Sequence, residues 1–165
     1  MDTHQLKEVL SRDLGSSFAG VYPRDVLPDL LPHQKAVVVN TDPHDQPGAH
    51  WICMYLNSPI LEYFDSYGLP PNHPDLKDFI QRQSHKQIHN PHCYQALDTD
   101  VCGQYCVYYL HHRHRGRKTV QDWILPFRGT DKQRDRYVAQ WFKETFRKPC
   151  THKGQTCQCR AKNLL

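Results

Sequence analysis

The stretch GAHWICMYLNSPILEYFDSYG (48–68) decides how this chain folds. WICMYL (51–56) and ILEYF (60–64) are short runs of apolar and aromatic side chains, the composition of strands. Asn57-Ser58-Pro59 interrupts them, and a proline cannot donate to a strand ladder. Two such runs so close together read as an antiparallel hairpin. A hairpin centred near residues 57–58 pairs positions whose numbers sum to about 115. His50 and Asp65 meet that sum, so the pattern sets an imidazole opposite a carboxylate at the open end.

Outward from the hairpin the elements mix. Asp2 and Gln5 form a capping box for a first helix, with Leu6, Val9, Leu10 and Leu14 at helical spacing and Gly15 ending it. Pro23, Pro28 and Pro32 mark a loop, and AVVV (36–39) is a buried strand. TDPHDQPG (41–48) and SYGLPPNHP (66–74) are turn material. Residues 75–83 make a short amphipathic helix with Leu76, Phe79 and Ile80 inward, and 87–93 reads as a strand. Cys102 to about Arg113 is a helix apolar on most sides, hence buried. A last helix covers about 131–146, with Tyr137, Val138, Trp141, Phe142, Thr145 and Phe146 on one face. The class is α+β.

The 165 residues suit a single domain over 1–147, followed by a basic, cysteine-rich tail over 148–165. No apolar run is long enough to cross a bilayer, so no membrane partner is expected. The opening MDTHQLKEVL is polar and unlike a secretory signal, so the protein is expected not to be secreted. Seven cysteines without an export signal point to free, metal-bound or catalytic thiols. Charge is divided unevenly. Residues 1–75 hold four Lys/Arg against ten Asp/Glu, and residues 76–165 hold seventeen against seven. HHRHRGRK (111–118) is the densest basic run, and such a face would attract a polyanion or simply be solvated. Cys150, Cys157, Cys159 and His152 could make a zinc set, but Cys157-x-Cys159 is tighter than usual zinc spacing, so no metal site is assigned.

DVCGQYC (100–106) places Cys102 where the buried helix begins. A nucleophilic cysteine needs a lowered pKa, which a helix N-terminus and a neighbouring imidazolium supply. Backbone N–H groups at a helix start can hold a developing oxyanion. Gly103 leaves room for a substrate backbone, or is an ordinary helix-start glycine. Cys106, one turn on, should lie deeper. His50 is the candidate base and Asp65 the group that orients it.

The order GAHW, YFDSYG, then Q-x6-CG resembles the adenovirus-type cysteine proteases (adenain), in the wider clan with the SUMO-specific proteases. The resemblance covers most of residues 5–112, including LKEVLSRDLG (6–15), FAGVYPRD (18–25), LLPHQKAVVVNT (30–41) and CGQYCVYYLHH (102–112). It puts the catalytic His on His50, the acid on Asp65, the oxyanion-hole Gln on Gln95 and the nucleophile on Cys102. Adenovirus enzymes usually carry Glu where this chain has Asp65, and the SUMO-protease relatives carry Asp. Trp51 lines the substrate channel on this reading, or packs in the core. The resemblance implies a papain-like fold of the adenain type, a central mixed sheet with a buried helix carrying the nucleophile. It implies a monomeric endopeptidase that cleaves viral, or virus-like element, precursor polypeptides during virion maturation, in the host nucleus and virion. No cofactor is needed for the chemistry. Activation by DNA or a viral peptide, with DNA on the basic C-terminal half, is implied by the family. The alternatives are a SUMO- or ubiquitin-like-protein deconjugase with the same chemistry, and a basic Cys/His nucleic-acid-binding module.

Overall fold

The computed structural model describes residues 1–116 and 118–146, so the tail expected over 148–165 lies outside the described residues. Nine elements follow in order: α1 (Thr3–Leu14), β1 (Phe18–Pro23), β2 (Ala36–Asn40), β3 (Trp51–Asn57), β4 (Ile60–Phe64), α2 (Pro74–Gln83), β5 (Lys86–His89), α3 (Cys102–His114) and α4 (Asp131–Thr145). The strands lie side by side in chain order. β1 runs parallel to β2, β2–β3–β4 are antiparallel, and β5 is parallel to β4. The fold is α+β around a central mixed sheet, as expected.

Local chemistry explains most element ends. Asp2 caps α1, its carboxylate accepting from the Gln5 N–H while the Gln5 side chain accepts from the Asp2 N–H. Gly15 closes that helix at φ 57°, where a side chain would be strained. β1 was not expected, since the sequence there reads as loop. It is an edge strand with only Phe18 and Gly20 buried, so it carries little hydrophobic alternation.

The hairpin forms, but its register differs from expectation. Cys53 pairs with Phe64, Tyr55 with Glu62 and Asn57 with Ile60. Asn57 belongs to the strand, and only Ser58 and Pro59, joined by a cis bond, make the turn. The pairing therefore slides by two residues, and by that register Tyr67, not Asp65, falls opposite His50, beyond the ladder's last pair Cys53–Phe64.

The sheet buries both faces. Ala36, Val38, Cys53, Tyr55 and Phe64 face α1, α3 and α4, whereas Val37, Val39, Ile52, Met54, Leu61 and Tyr63 face α2 through Leu76, Phe79 and Ile80. Along α3 every residue from Tyr105 to Leu110 is buried, and the Tyr109 ring stacks on Phe64 at 4.7 Å. On this same face Glu62 is buried yet fully partnered. It accepts from the Tyr109 hydroxyl, from Arg113 at 2.7 Å and from the Val120 N–H at 3.0 Å. Much of the basic run is likewise spent internally, since His111 and Arg115 both reach Asp13.

Glu62→Ala should lower the unfolding free energy by about 3–5 kcal/mol, because it strands the Arg113 charge with the Tyr109 and Val120 donors. Urea denaturation checks this; a loss under about 1 kcal/mol would show that the cluster contributes little to stability.

Candidate active site

His50 directly precedes β3, and its carbonyl accepts from the Thr41 N–H at 2.9 Å, which fixes the backbone. Its Nε2 lies 2.8 Å from Asp65 Oδ1. With Nε2–H donated to the carboxylate, Nδ1 is left for Cys102, to which the imidazole is hydrogen-bonded. The two residues thus meet as expected, though not as register partners. His50 is instead stacked by the ring across the hairpin, Tyr67, with centroids 4.8 Å apart and planes at 28°.

Asp65 leaves the end of β4 at 3% exposure, and Asn90 leaves the adjacent parallel β5 beside it. Asn90 clamps the Asp65 backbone from both sides. Its Oδ1 accepts the Asp65 N–H at 2.8 Å, and its Nδ2 donates to the Asp65 carbonyl at 2.7 Å and to the His92 carbonyl at 2.9 Å. Asp65 Oδ1 also accepts the Tyr67 N–H at 2.8 Å, an Asx turn that aims the carboxylate at His50.

Gln95 is drawn to the same place. The Ser66 carbonyl accepts its N–H at 3.1 Å, and Ser66 Oγ donates to its Oε1 at 2.7 Å. Its Nε2 donates to the Thr99 carbonyl at 2.5 Å and to the Tyr67 hydroxyl at 3.2 Å. Asp135 on α4 braces this loop, accepting from the Ala96 N–H, Thr99 Oγ1 and the Tyr105 hydroxyl.

Cys102 is the first residue of α3 and half-buried. Burial pushes its thiol up, but hydrogen bonds from His50 and from the Trp51 and Gly103 backbone outweigh that and leave the pKa below the ordinary value. Burial likewise opposes protonation of His50, yet Asp65 and Cys102 raise its pKa to about 9. Both shifts thus favour the charged forms, thiolate at Cys102 and imidazolium at His50. Cys106 is buried beside Cys53, and burial drives its thiol pKa well above the usual value.

Trp51 and Gly103 converge on a third residue. Trp51 Nε1 donates to the Met1 carbonyl at 3.0 Å, and a Cβ on Gly103 would meet Met1 Cβ at 3.0 Å. Met1 thus lies over the glycine where open space was expected. An open groove of about 580 Å³ borders His50, Asp65 and Tyr67 and continues over Leu69 and Pro70. Among the described residues, no cluster of three His, Cys, Asp or Glu side chains could hold a metal ion. Asn90, Asp135 and Tyr67 were not anticipated as parts of the site. No local motif marks Asp135.

No protein-family model matches this sequence, and no curated protein does. Solved structures do resemble it. The ASFV pS273R protease matches over 83% of this chain and 65% of its own, with TM-score 0.53 and 17% identity. ChlaDub1 from Chlamydia trachomatis matches over 81% and 65%, with TM-score 0.48 and 16% identity. The SUMO protease Ulp1 matches over 70% and 55%, with TM-score 0.39 and 18% identity. The chain spans less than two thirds of the length of each. The first of these likenesses shows the fold, which is that of the papain-like cysteine proteases.

Alkylation of Cys102 by iodoacetamide should begin below the pH at which an ordinary thiol ionises and change again near pH 9, where His50 loses its proton. In His50→Ala the burial penalty stays and the main opposing partner is gone, so the inflection should move upward. An unchanged profile would refute the ion pair.

Proposed function

We propose that residues 1–147 act as a cysteine endopeptidase of the adenain type, cutting viral or virus-like element precursor polypeptides during virion maturation. The observation that carries this reading is the His50 imidazole, held by the buried Asp65 carboxylate and hydrogen-bonded to a thiol at a helix start. The papain-like fold shared with the ASFV protease supports it.

The chemistry follows from the groups present. The Cys102 thiolate attacks the scissile carbonyl, and the oxygen gains negative charge. The Cys102 N–H at the start of α3 stabilises that charge, and the resemblance assigns the side-chain share of this task to Gln95. The His50 imidazolium then protonates the leaving amine, releasing the C-terminal product and leaving a thioester on Cys102. Neutral His50 next takes a proton from water, which attacks the thioester and frees the thiolate. Asp65 keeps the imidazole in one tautomer and stabilises its charged form throughout. The groove beside His50 gives the leaving segment a path. On this reading Trp51 and Gly103 line the substrate chain, which would have to displace Met1.

Substrate and setting belong to the proposal too. The precursors are polypeptides of a virion, met in the host nucleus and in the particle, and the enzyme works as a monomer. DNA, drawn to the basic C-terminal half, or a viral peptide raises activity without entering the chemistry.

A panel of electrophiles tests this: vinyl sulfones of a Gly-Gly peptide, of SUMO and of ubiquitin, with and without duplex DNA. Mass spectrometry locates the adduct. The expected result is modification at Cys102, lost in His50→Ala, with the short peptide preferred and the rate raised by DNA. Preference for SUMO or ubiquitin would replace precursor processing by deconjugation. Labelling confined to Cys150, Cys157 or Cys159 and indifferent to His50 would reject the peptidase and favour a nucleic-acid-binding module. With a cleavable substrate in hand, Asp65→Asn should reduce kcat/KM by about 10²–10⁴-fold, since the imidazole loses the partner that fixes its tautomer.

A further inference from the structure

Gln95 has a hydrogen-bonding problem. A primary amide owns two N–H donors and one carbonyl acceptor. Here the carbonyl accepts from Ser66 Oγ, and the amide nitrogen donates to the Thr99 carbonyl and to the Tyr67 hydroxyl. At 2% exposure the side chain is locked on every atom. It has no donor left for a substrate oxygen.

Tyr67 has the opposite balance. Its oxygen accepts from Gln95, which leaves its own O–H to give, and that hydroxyl donates to no described residue. Its amide is tied to Asp65 Oδ1 and its ring lies on His50, so the side chain is placed by two members of the site. Burial, and then the negative charges of Cys102 and Asp65, raise its phenol pKa, so the proton stays in place. A phenol that accepts one hydrogen bond also becomes a better donor of the next.

We infer that Tyr67 is a catalytic residue of this chain: its hydroxyl, polarised by Gln95, donates to the oxyanion that forms over Cys102, while its ring seats the His50 imidazole. Gln95 then acts through Tyr67 rather than by direct contact. The inference rests on the acyl-transfer reading above and assigns its side-chain oxyanion donor.

Two reactions on the full chain separate the roles. Hydrolysis of a Gly-Gly p-nitrophenyl ester passes through an oxyanion and needs no cleavage motif. Alkylation by iodoacetamide needs only the thiolate, whose ionisation His50 favours, and forms no oxyanion. Tyr67→Phe keeps the ring and removes only the hydroxyl. Ester kcat/KM should fall about 10²–10³-fold, the usual effect of losing one oxyanion donor. The alkylation rate and its pH inflection should match the wild type, which also shows that the variant is folded with its ion pair intact. Tyr67→Leu should lose ester turnover as well and, in addition, shift the alkylation profile, because the stacking is gone. Wild-type ester turnover in Tyr67→Phe overturns the inference, as does a parallel fall in both reactions. A wild-type protein that is alkylated in a His50-dependent way but shows no Cys102-dependent ester hydrolysis overturns acyl transfer itself, and the donor role with it.

Discussion

One oxygen organises this site. Asp65 Oδ1 accepts from the His50 imidazole and from the Tyr67 backbone, each at 2.8 Å. A carboxylate buried at 3% exposure is costly unless donors surround it. The donors that meet that requirement also fix the base in one tautomer and start the turn that brings Tyr67 over the imidazole. Asn90 completes the constraint by holding the Asp65 backbone at both its N–H and its carbonyl. The arrangement of His50, Asp65 and Tyr67 is therefore a consequence of satisfying one buried charge.

The other buried polar groups extend the same logic outward. Asp135 takes donors from the loop at Ala96 and Thr99 and from Tyr105 of α3, so α4 holds in place the segment that carries Gln95. Glu62 gathers Tyr109, Arg113 and Val120, tying the far half of α3 to β4. α3 is thus held to the sheet by Glu62 toward its C-terminal end and to α4 by Asp135 near its start. A partly satisfied network would cost more than an apolar core. Among the described residues, the only buried side-chain atoms without a hydrogen bond are Arg24 Nε, which lies 3.4 Å from Asp75 Oδ2, and Gln104 Oε1.

Local pattern carried the first helix, the hairpin and the buried helix, because each has its signal within a few residues. The capping box at Asp2 and Gln5 is one such signal, and the apolar wrap of 105–110 is another. β1 escaped notice because an edge strand with a register shift between Phe18 and Gly20 and a terminal proline does not alternate clearly. The register was off by two because the turn is only Ser58-Pro59, and whether Asn57 belongs to strand or loop is settled by pairing, not by composition. His50 and Asp65 were still matched correctly. A side chain displaced by two positions can reach back across the end of a hairpin, and the Asx turn at Tyr67 makes it do so. Asn90 and Asp135 were illegible for a different reason. Their partners lie 25 and 30 to 39 residues away, and a polar contact at that range leaves no period in the sequence. Charge counting, likewise, does not show that Arg113 and Arg115 pair with buried carboxylates.

The two cysteines of DVCGQYC show how position alone divides identical chemistry. Cys102 and Cys106 sit one turn apart on one helix, and burial pushes both thiols up. At Cys102 the helix has just begun, so backbone N–H groups are unspent, and the imidazole stands alongside. Those donors outweigh desolvation. At Cys106 the N–H groups are committed to the helix, and the nearest ionisable neighbour is another thiol, Cys53, which only adds to the penalty. Moving four residues into the core thus turns a thiol whose ionisation is favoured into one whose ionisation is opposed. That is why the pattern of a cysteine at a helix start, and not the cysteine itself, carried the reading of the sequence.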